Sequence, residues 1–88
     1  MIDNLQKEDL RKSVLQFLTN RQPTAHPVSA IRRTVAREVD FNPQPQEIEA
    51  ALAVLKDKGL VAMETEPLGS TRYWRATGEG VLHVERGE

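Results

Sequence analysis

A set of arginines and glutamines carries the chemistry that this sequence offers most clearly. Arginine side chains contact phosphate oxygens, and glutamine carboxamides can hydrogen-bond to the edge of an adenine base. Some of the arginines recur at helical spacing, others lie within a run rich in β-forming residues, and the glutamines lie at the start of a segment with helical apolar periodicity. These candidate nucleic-acid-binding residues are Arg32, Arg33, Arg37, Gln44, Gln46, Arg72 and Arg75.

The arginines near the middle of the chain also have a simpler interpretation. Arg33 and Arg37 are like charges four residues apart, which costs an isolated helix about 0.2–0.5 kcal/mol. Asp40 follows Arg37 by one helical turn and can offset part of this repulsion. Two interpretations therefore remain, a solvated helix face with one ion pair and a patch that contacts phosphates.

Catalytic, cofactor and metal sites find no support in the sequence. Neither histidine stands in a context that suggests a nucleophile and its base. No second ligand stands at metal spacing from His26. Gly78-x-Gly80 lacks the rest of a dinucleotide-binding fingerprint. We therefore expect no enzyme, no cofactor and no bound metal.

Length and composition indicate one small domain that spans residues 1–88. The chain has no cysteines, which excludes disulfides and is consistent with a cytoplasmic location. No apolar run is long enough to span a bilayer, and no secretion signal is evident at the N-terminus. The 12 basic and 13 acidic residues give a formal net charge of −1. A nucleic-acid-binding role would therefore need a local basic face.

The segment 42–61 predicts a helix that ends abruptly and leads directly into a strand. Apolar residues at i, i+3, i+4 and i+7 form one helix face. They are Ile48, Ala51, Leu52 and Leu55. Gly59 falls where a left-handed residue is needed after a helix, and Leu60 can then fold back on the last leucine of this face. We predict a helix from about Gln44 to Gly59, followed by a strand.

One helix is predicted near the start of the chain. Asp3 or Asn4 can cap it, and Asn20 or Arg21 ends it. Its apolar face is predicted to consist of Leu10, Val14, Leu15, Phe17 and Leu18.

Another helix is predicted between these two, with Ser29 as its N-cap. The buried stripe of this helix is expected to contain Ile31, Val35 and Val39. His26, in the preceding loop, is expected to be exposed. Phe41, in the turn that follows, is predicted to fill the core.

A β-hairpin is predicted after these helices. Residues 61–64 alternate between apolar and polar faces, Pro67–Ser70 has the composition of a turn, and Thr71–Ala76 is rich in β-forming residues. Trp74 is expected to lie in the core.

Two motifs resemble the core of bacterial winged helix-turn-helix transcription regulators. They are Leu52-x-x-Leu55-x-x-Lys58-Gly59-Leu60-Val61 and Tyr73-Trp74-Arg75-Ala76-Thr77-x-x-Gly80. The resemblance covers roughly Ser13 to Val84. It implies an α+β fold, a winged helix with a three-helix bundle, a C-terminal β-hairpin wing and a short final helix. It also implies that Val28 joins the wing sheet, while alternation around His83 leaves a final strand as the alternative.

The resemblance further implies a transcriptional regulator that contacts duplex DNA through its third helix and wing. The face of this helix opposite the core is predicted to hold Gln46, Glu49, Ala50, Ala53 and Asp57. Glu49 and Asp57 would meet phosphates with the wrong sign. The alternative is therefore a winged-helix protein–protein interaction module or adaptor that does not bind DNA. A homodimer is also possible, through the first helix or the tail around Val81–Val84.

Overall fold

Three helices, a two-stranded antiparallel hairpin and a short fourth helix follow one another along the chain. A computed structural model describes residues 2–87. The helices are α1 (Asn4–Asn20), α2 (Val28–Glu38), α3 (Pro45–Asp57) and α4 (Gly78–Glu85). The strands are β1 (Val61–Thr65) and β2 (Arg72–Ala76). This confirms the predicted α+β class and the predicted order of elements.

The core lies where α1, α2 and α3 pack together and the hairpin covers them. Its predicted members are buried, namely Leu18, Ile31, Val35, Leu52, Leu55 and Trp74. The prediction is wrong for Phe41, which is only partly buried and packs against the edge of the core. The turn between α2 and α3 places this ring at the margin and instead buries Pro43 fully.

The first helix begins where its polar residues predict. The Gln6 backbone N–H donates to Asp3 Oδ1 at 2.8 Å, and the Asp3 N–H donates to Gln6 Oε1 at 3.1 Å. This reciprocal pair is a capping box, which satisfies two backbone donors at the helix start.

The second helix begins earlier than predicted. Pro27 occupies the N-cap position, with φ −77° and ψ 164°, and Val28 is the first helical residue. The predictions that Ser29 caps this helix and that Val28 joins a strand are therefore wrong. Proline fixes φ near the value required here, and its missing N–H costs nothing at a helix start.

His26 provides the strand-like pairing instead. Its backbone N–H donates to the Trp74 carbonyl oxygen, and the Trp74 N–H donates to the His26 carbonyl oxygen, both at 2.8 Å. These two bonds attach the hairpin to the loop before α2. His26 is consequently partly buried, and the prediction that it is exposed is wrong.

The junction between α3 and β1 has the predicted form. Gly59 has φ +76°, a left-handed conformation that side chains disfavour. The Leu60 N–H donates to the Leu55 carbonyl oxygen at 3.0 Å, and the Gly59 N–H donates to that of Lys56 at 2.9 Å. These bonds form a Schellman motif, and both leucines are buried. The chain therefore passes from α3 to β1 through three residues, of which Gly59 has the left-handed conformation.

The hairpin has one end inside the protein and one end in solvent. Val61 pairs with Ala76, Met63 with Trp74 and Thr65 with Arg72. We call residues 61–63 with 74–76 the inner end, and residues 64–72 the tip. The inner end is buried or partly buried, whereas every residue of the tip is exposed to solvent.

The last described element is a helix, as the resemblance implies, and not a strand. The Thr77 hydroxyl accepts from the Gly80 N–H at 3.1 Å and donates to the Gly59 carbonyl oxygen at 2.7 Å. It thereby caps α4 and joins it to the end of α3. A β-carbon at Gly80 would collide with the Leu60 carbonyl oxygen, so this close approach requires glycine.

Candidate nucleic-acid interface

A polar cleft separates the outer side of α3 from the start of α2 and from the hairpin tip. Its volume is about 360 Å³. Its lining includes Val28, Ser29, Glu49, Ser70, Thr71 and Arg72. We call this space the wing cleft. Because a helix start, the middle of α3 and the hairpin tip converge here, one elongated ligand can contact all three elements.

Arg32 is held by the turn that precedes α3. Its Nε donates to the Pro43 carbonyl oxygen at 2.6 Å, and its Nη2 donates to Asn42 Oδ1 at 3.3 Å. These bonds join α2 to the turn and help to set the direction in which α3 leaves it. Arg32 thus positions α3, and only the unused part of its guanidinium is available to a partner.

Arg33 and Arg37 project from α2 into solvent. Both are exposed, and neither lies within salt-bridge distance of a carboxylate in residues 2–87. The predicted ion pair between Arg37 and Asp40 is therefore not formed in the structure. Helix α2 ends at Glu38, so Asp40 lies beyond the helical turn that would have brought it close. The positive charge of both arginines remains available to a partner.

The two arginines of β2 differ in their surroundings. Arg75 Nε lies 2.7 Å from Glu64 Oε1. This cross-strand ion pair links the two strands and offsets the positive charge of Arg75. Arg72, at the tip, is exposed and lines the wing cleft. Of the two, Arg72 therefore carries the charge that a partner would meet.

Gln44 and Gln46 lie at the start of α3 and face different surroundings. Gln44 is the N-cap residue, and its side-chain Nε2 donates to the Asn42 carbonyl oxygen at 3.4 Å. Gln46 is exposed and lines a groove beside α1, together with Lys7 and Leu10. Both side chains reach solvent, but neither lines the wing cleft.

Sequence reasoning missed that Ser29 and Arg72 line the same cleft as Glu49. Ser29 was assigned to a cap, whereas its exposed side chain lines the wing cleft. The signal that could have revealed this was Pro27, which suits the start of α2 and leaves the serine free. Glu49 appeared in the sequence only as a charge of the wrong sign, whereas it shares this cleft with Arg72.

His26 and its neighbours support the inner end of the hairpin. The His26 ring meets Phe17 edge-on, with ring centroids 5.1 Å apart, and the Arg21 guanidinium lies 4.0 Å above the Phe17 ring. Burial, and secondarily the positive charge of Arg21, hold the pKa of His26 below its usual value. Within residues 2–87, His26 Nε2 is buried without a hydrogen-bond partner. The neutral imidazole is therefore the form that suits this site.

Residues 2–87 contain neither a metal-binding cluster nor a membrane-spanning helix. No group of three or more histidine, aspartate or glutamate side chains is arranged to hold a metal ion. None of the helices in this part of the chain has the length and apolar character needed to cross a membrane.

Comparison with solved structures identifies the fold as a winged helix. A transcriptional regulator from Clostridium thermocellum superposes with a TM-score of 0.77 at 15% sequence identity. The match covers 99% of this chain and 84% of the other. No family model matches the sequence, and no curated protein matches it significantly. At this identity the likeness concerns the fold, which here includes both the helical bundle and the hairpin wing.

Proposed function

We propose that this protein is a transcriptional regulator that binds duplex DNA, with α3 in the major groove and the wing beside it. The observation that carries the proposal is the position of three exposed arginines. Arg33 and Arg37 are exposed on α2 and Arg72 is exposed at the hairpin tip, and no carboxylate in residues 2–87 is within salt-bridge distance of them. The similar structure, itself named a transcriptional regulator, adds support.

The proposed contacts divide into two groups. Arg33, Arg37 and Arg72 bind phosphates on either side of the groove, which places the protein on the duplex without reading its sequence. Arg32 chiefly orients α3 through its bonds to the preceding turn. Arg75 is paired with Glu64 and contributes to wing geometry more than to binding.

Bases are read in this proposal from the exposed side of α3. Gln44 and Gln46 lie at the helix start, where side chains of a recognition helix approach base edges. A glutamine carboxamide can both donate to and accept from adenine. Ala50 and Ala53 are exposed and small, which allows the helix to approach the groove closely.

Duplex binding across a salt series tests this function. Three phosphate contacts predict a slope of log affinity against log salt of about −2.7, which is a loss of roughly 40-fold between 50 and 200 mM salt. Arg33→Ala should weaken binding to all sequences alike and make the slope shallower by about one unit. Lys12→Ala, on an exposed position of α1, is the matched control and should leave the slope unchanged.

A winged-helix module that binds protein is the second candidate. The acidic side chains Glu49 and Asp57 on the exposed side of α3 favour it, because they suit a basic partner. This candidate predicts negligible binding of mixed-sequence duplex even at low salt. It also predicts that reversing either charge abolishes binding of the protein partner.

Self-association through α1 and α4 is a further part of the proposal. Leu5 on α1 and Leu82 on α4 are exposed large apolar residues, and a regulator that binds a two-fold symmetric site would be a dimer. Light scattering at the protein concentrations used for DNA binding measures the mass of the protein and hence its oligomeric state. If the protein is a dimer, Leu82→Asp should reduce its mass to that of a monomer. If the wild-type protein is itself a monomer, the proposal is limited to a single domain on DNA.

A further inference from the structure

Glu49 stands out on the exposed side of α3 because it is an acidic residue inside the proposed DNA-binding surface. It lines the wing cleft with Ser29 and Arg72, and its side chain is exposed. No lysine or arginine in residues 2–87 lies within salt-bridge distance of it. Its negative charge would therefore face a duplex without a close partner from the protein.

The other acidic residues of α3 are less able to reach a base. Glu47 Oε1 accepts the Gln44 backbone N–H at 2.8 Å, so this carboxylate is engaged at the helix start. Asp57 is the last residue of α3, whereas recognition helices contact bases mainly through their N-terminal residues. Glu49 is left as the acidic side chain in the first half of α3 that is free to contact a partner.

A carboxylate in a major groove can be stabilised by only some base edges. Guanine presents acceptors there, and thymine presents an acceptor and a methyl group. Cytosine presents its N4 amino group, a donor, and carboxylates characteristically accept from it. Adenine also presents a donor, but its neighbouring N7 is an acceptor that repels a carboxylate.

We infer that Glu49 is a specificity-determining residue that accepts a hydrogen bond from the N4 amino group of a cytosine. The inference rests on the proposed function, because it needs α3 in the major groove. Arg72 faces the same cleft and offsets part of the repulsion between Glu49 and the phosphates. The carboxylate thus selects one base and rejects those that present only acceptors.

Selection of binding sites from a randomised duplex library tests this inference with the full chain. The wild-type protein should enrich sites with cytosine at one position, and replacing that cytosine should weaken binding roughly 10- to 100-fold. Glu49→Gln should shift the preference at that position toward adenine, because a carboxamide can donate to N7 as well as accept from N6. Asp57→Asn is the matched control and should leave the selected site unchanged.

The possible failures are distinguishable. If Glu49→Gln raises affinity equally for all sequences and leaves the selected site unchanged, Glu49 only repels phosphates, and the inference is overturned while the proposed function stands. If the wild-type protein enriches no sequence and binds no duplex at low salt, the proposed function fails first. Thermal unfolding of Glu49→Gln should match the wild type, since the side chain is exposed.

Discussion

The inner end and the tip of the hairpin belong to the same pair of strands but have opposite physical roles. Trp74 at the inner end is 5% exposed and paired with His26, whereas Leu68 at the tip is fully exposed, at 103%. The inner end is thus part of the core, and the tip contributes little to it. The inner end therefore anchors the hairpin to the core, while residues of the tip can change with little effect on stability.

The largest expected difference between the two ends comes from truncating their large apolar residues. Trp74→Ala should reduce the free energy of unfolding by roughly 3–5 kcal/mol, because it opens a cavity in the core. Leu68→Ala should change it by less than about 0.5 kcal/mol, because that side chain is already in solvent. Urea unfolding of both variants measures the difference. Similar losses for the two would show that the tip is packed in solution.

A smaller loss of stability is expected where α4 packs against Leu60, the residue just before β1. Gly80→Ala should cost roughly 1–3 kcal/mol, because its β-carbon would meet the Leu60 carbonyl oxygen. Gly78→Ala, two residues earlier in open space, is the matched control and should change stability by less than about 0.5 kcal/mol. Thermal unfolding distinguishes them, and equal stability of the two variants would contradict the close approach.

The junction between α3 and β1 should respond less strongly. Gly59→Ala should cost about 1 kcal/mol, because alanine is strained at φ +76° although there is space for its side chain. The control at the tip is Gly69→Ala, whose β-carbon would meet only the flexible Glu66 side chain. Denaturant unfolding should show the loss in the first variant only. A Gly59→Ala protein as stable as the wild type would argue against the left-handed helix end.

The smallest expected effect is a dependence on pH at the inner end. The folded protein holds the pKa of His26 below its usual value, so the unfolded chain binds the proton more readily. The contribution of neutral His26 to the free energy of unfolding is therefore present above pH about 6.5. It is lost as the pH falls through the lower pKa of the folded state. His26→Gln should remove this part of the pH dependence, as measured by melting temperature between pH 5 and 8. The control His83→Gln should retain it.

Local patterns in the sequence were sufficient to predict most of the fold. Gly59 followed by Leu60 predicted the end of α3 because the required φ and the apolar contact involve residues close in sequence. The start of α2 was less predictable, since both Pro27 and Ser29 are plausible there and backbone geometry decides between them. The position of Phe41 at the margin of the core depends on how α2 and α3 pack, which periodicity does not report.

The proposed interface was only partly predictable, for the same reason. The identity of the arginines and their places on α2 and β2 follow from local sequence patterns. Which of these arginines are engaged depends on the packing of the elements, because Arg32 and Arg75 each bond to groups 11 residues away. Likewise, Glu49 lines one cleft with Ser29 and Arg72 only because three elements converge there. Residue type and spacing determine local conformation, whereas the charge presented to a partner depends on contacts between elements distant in sequence.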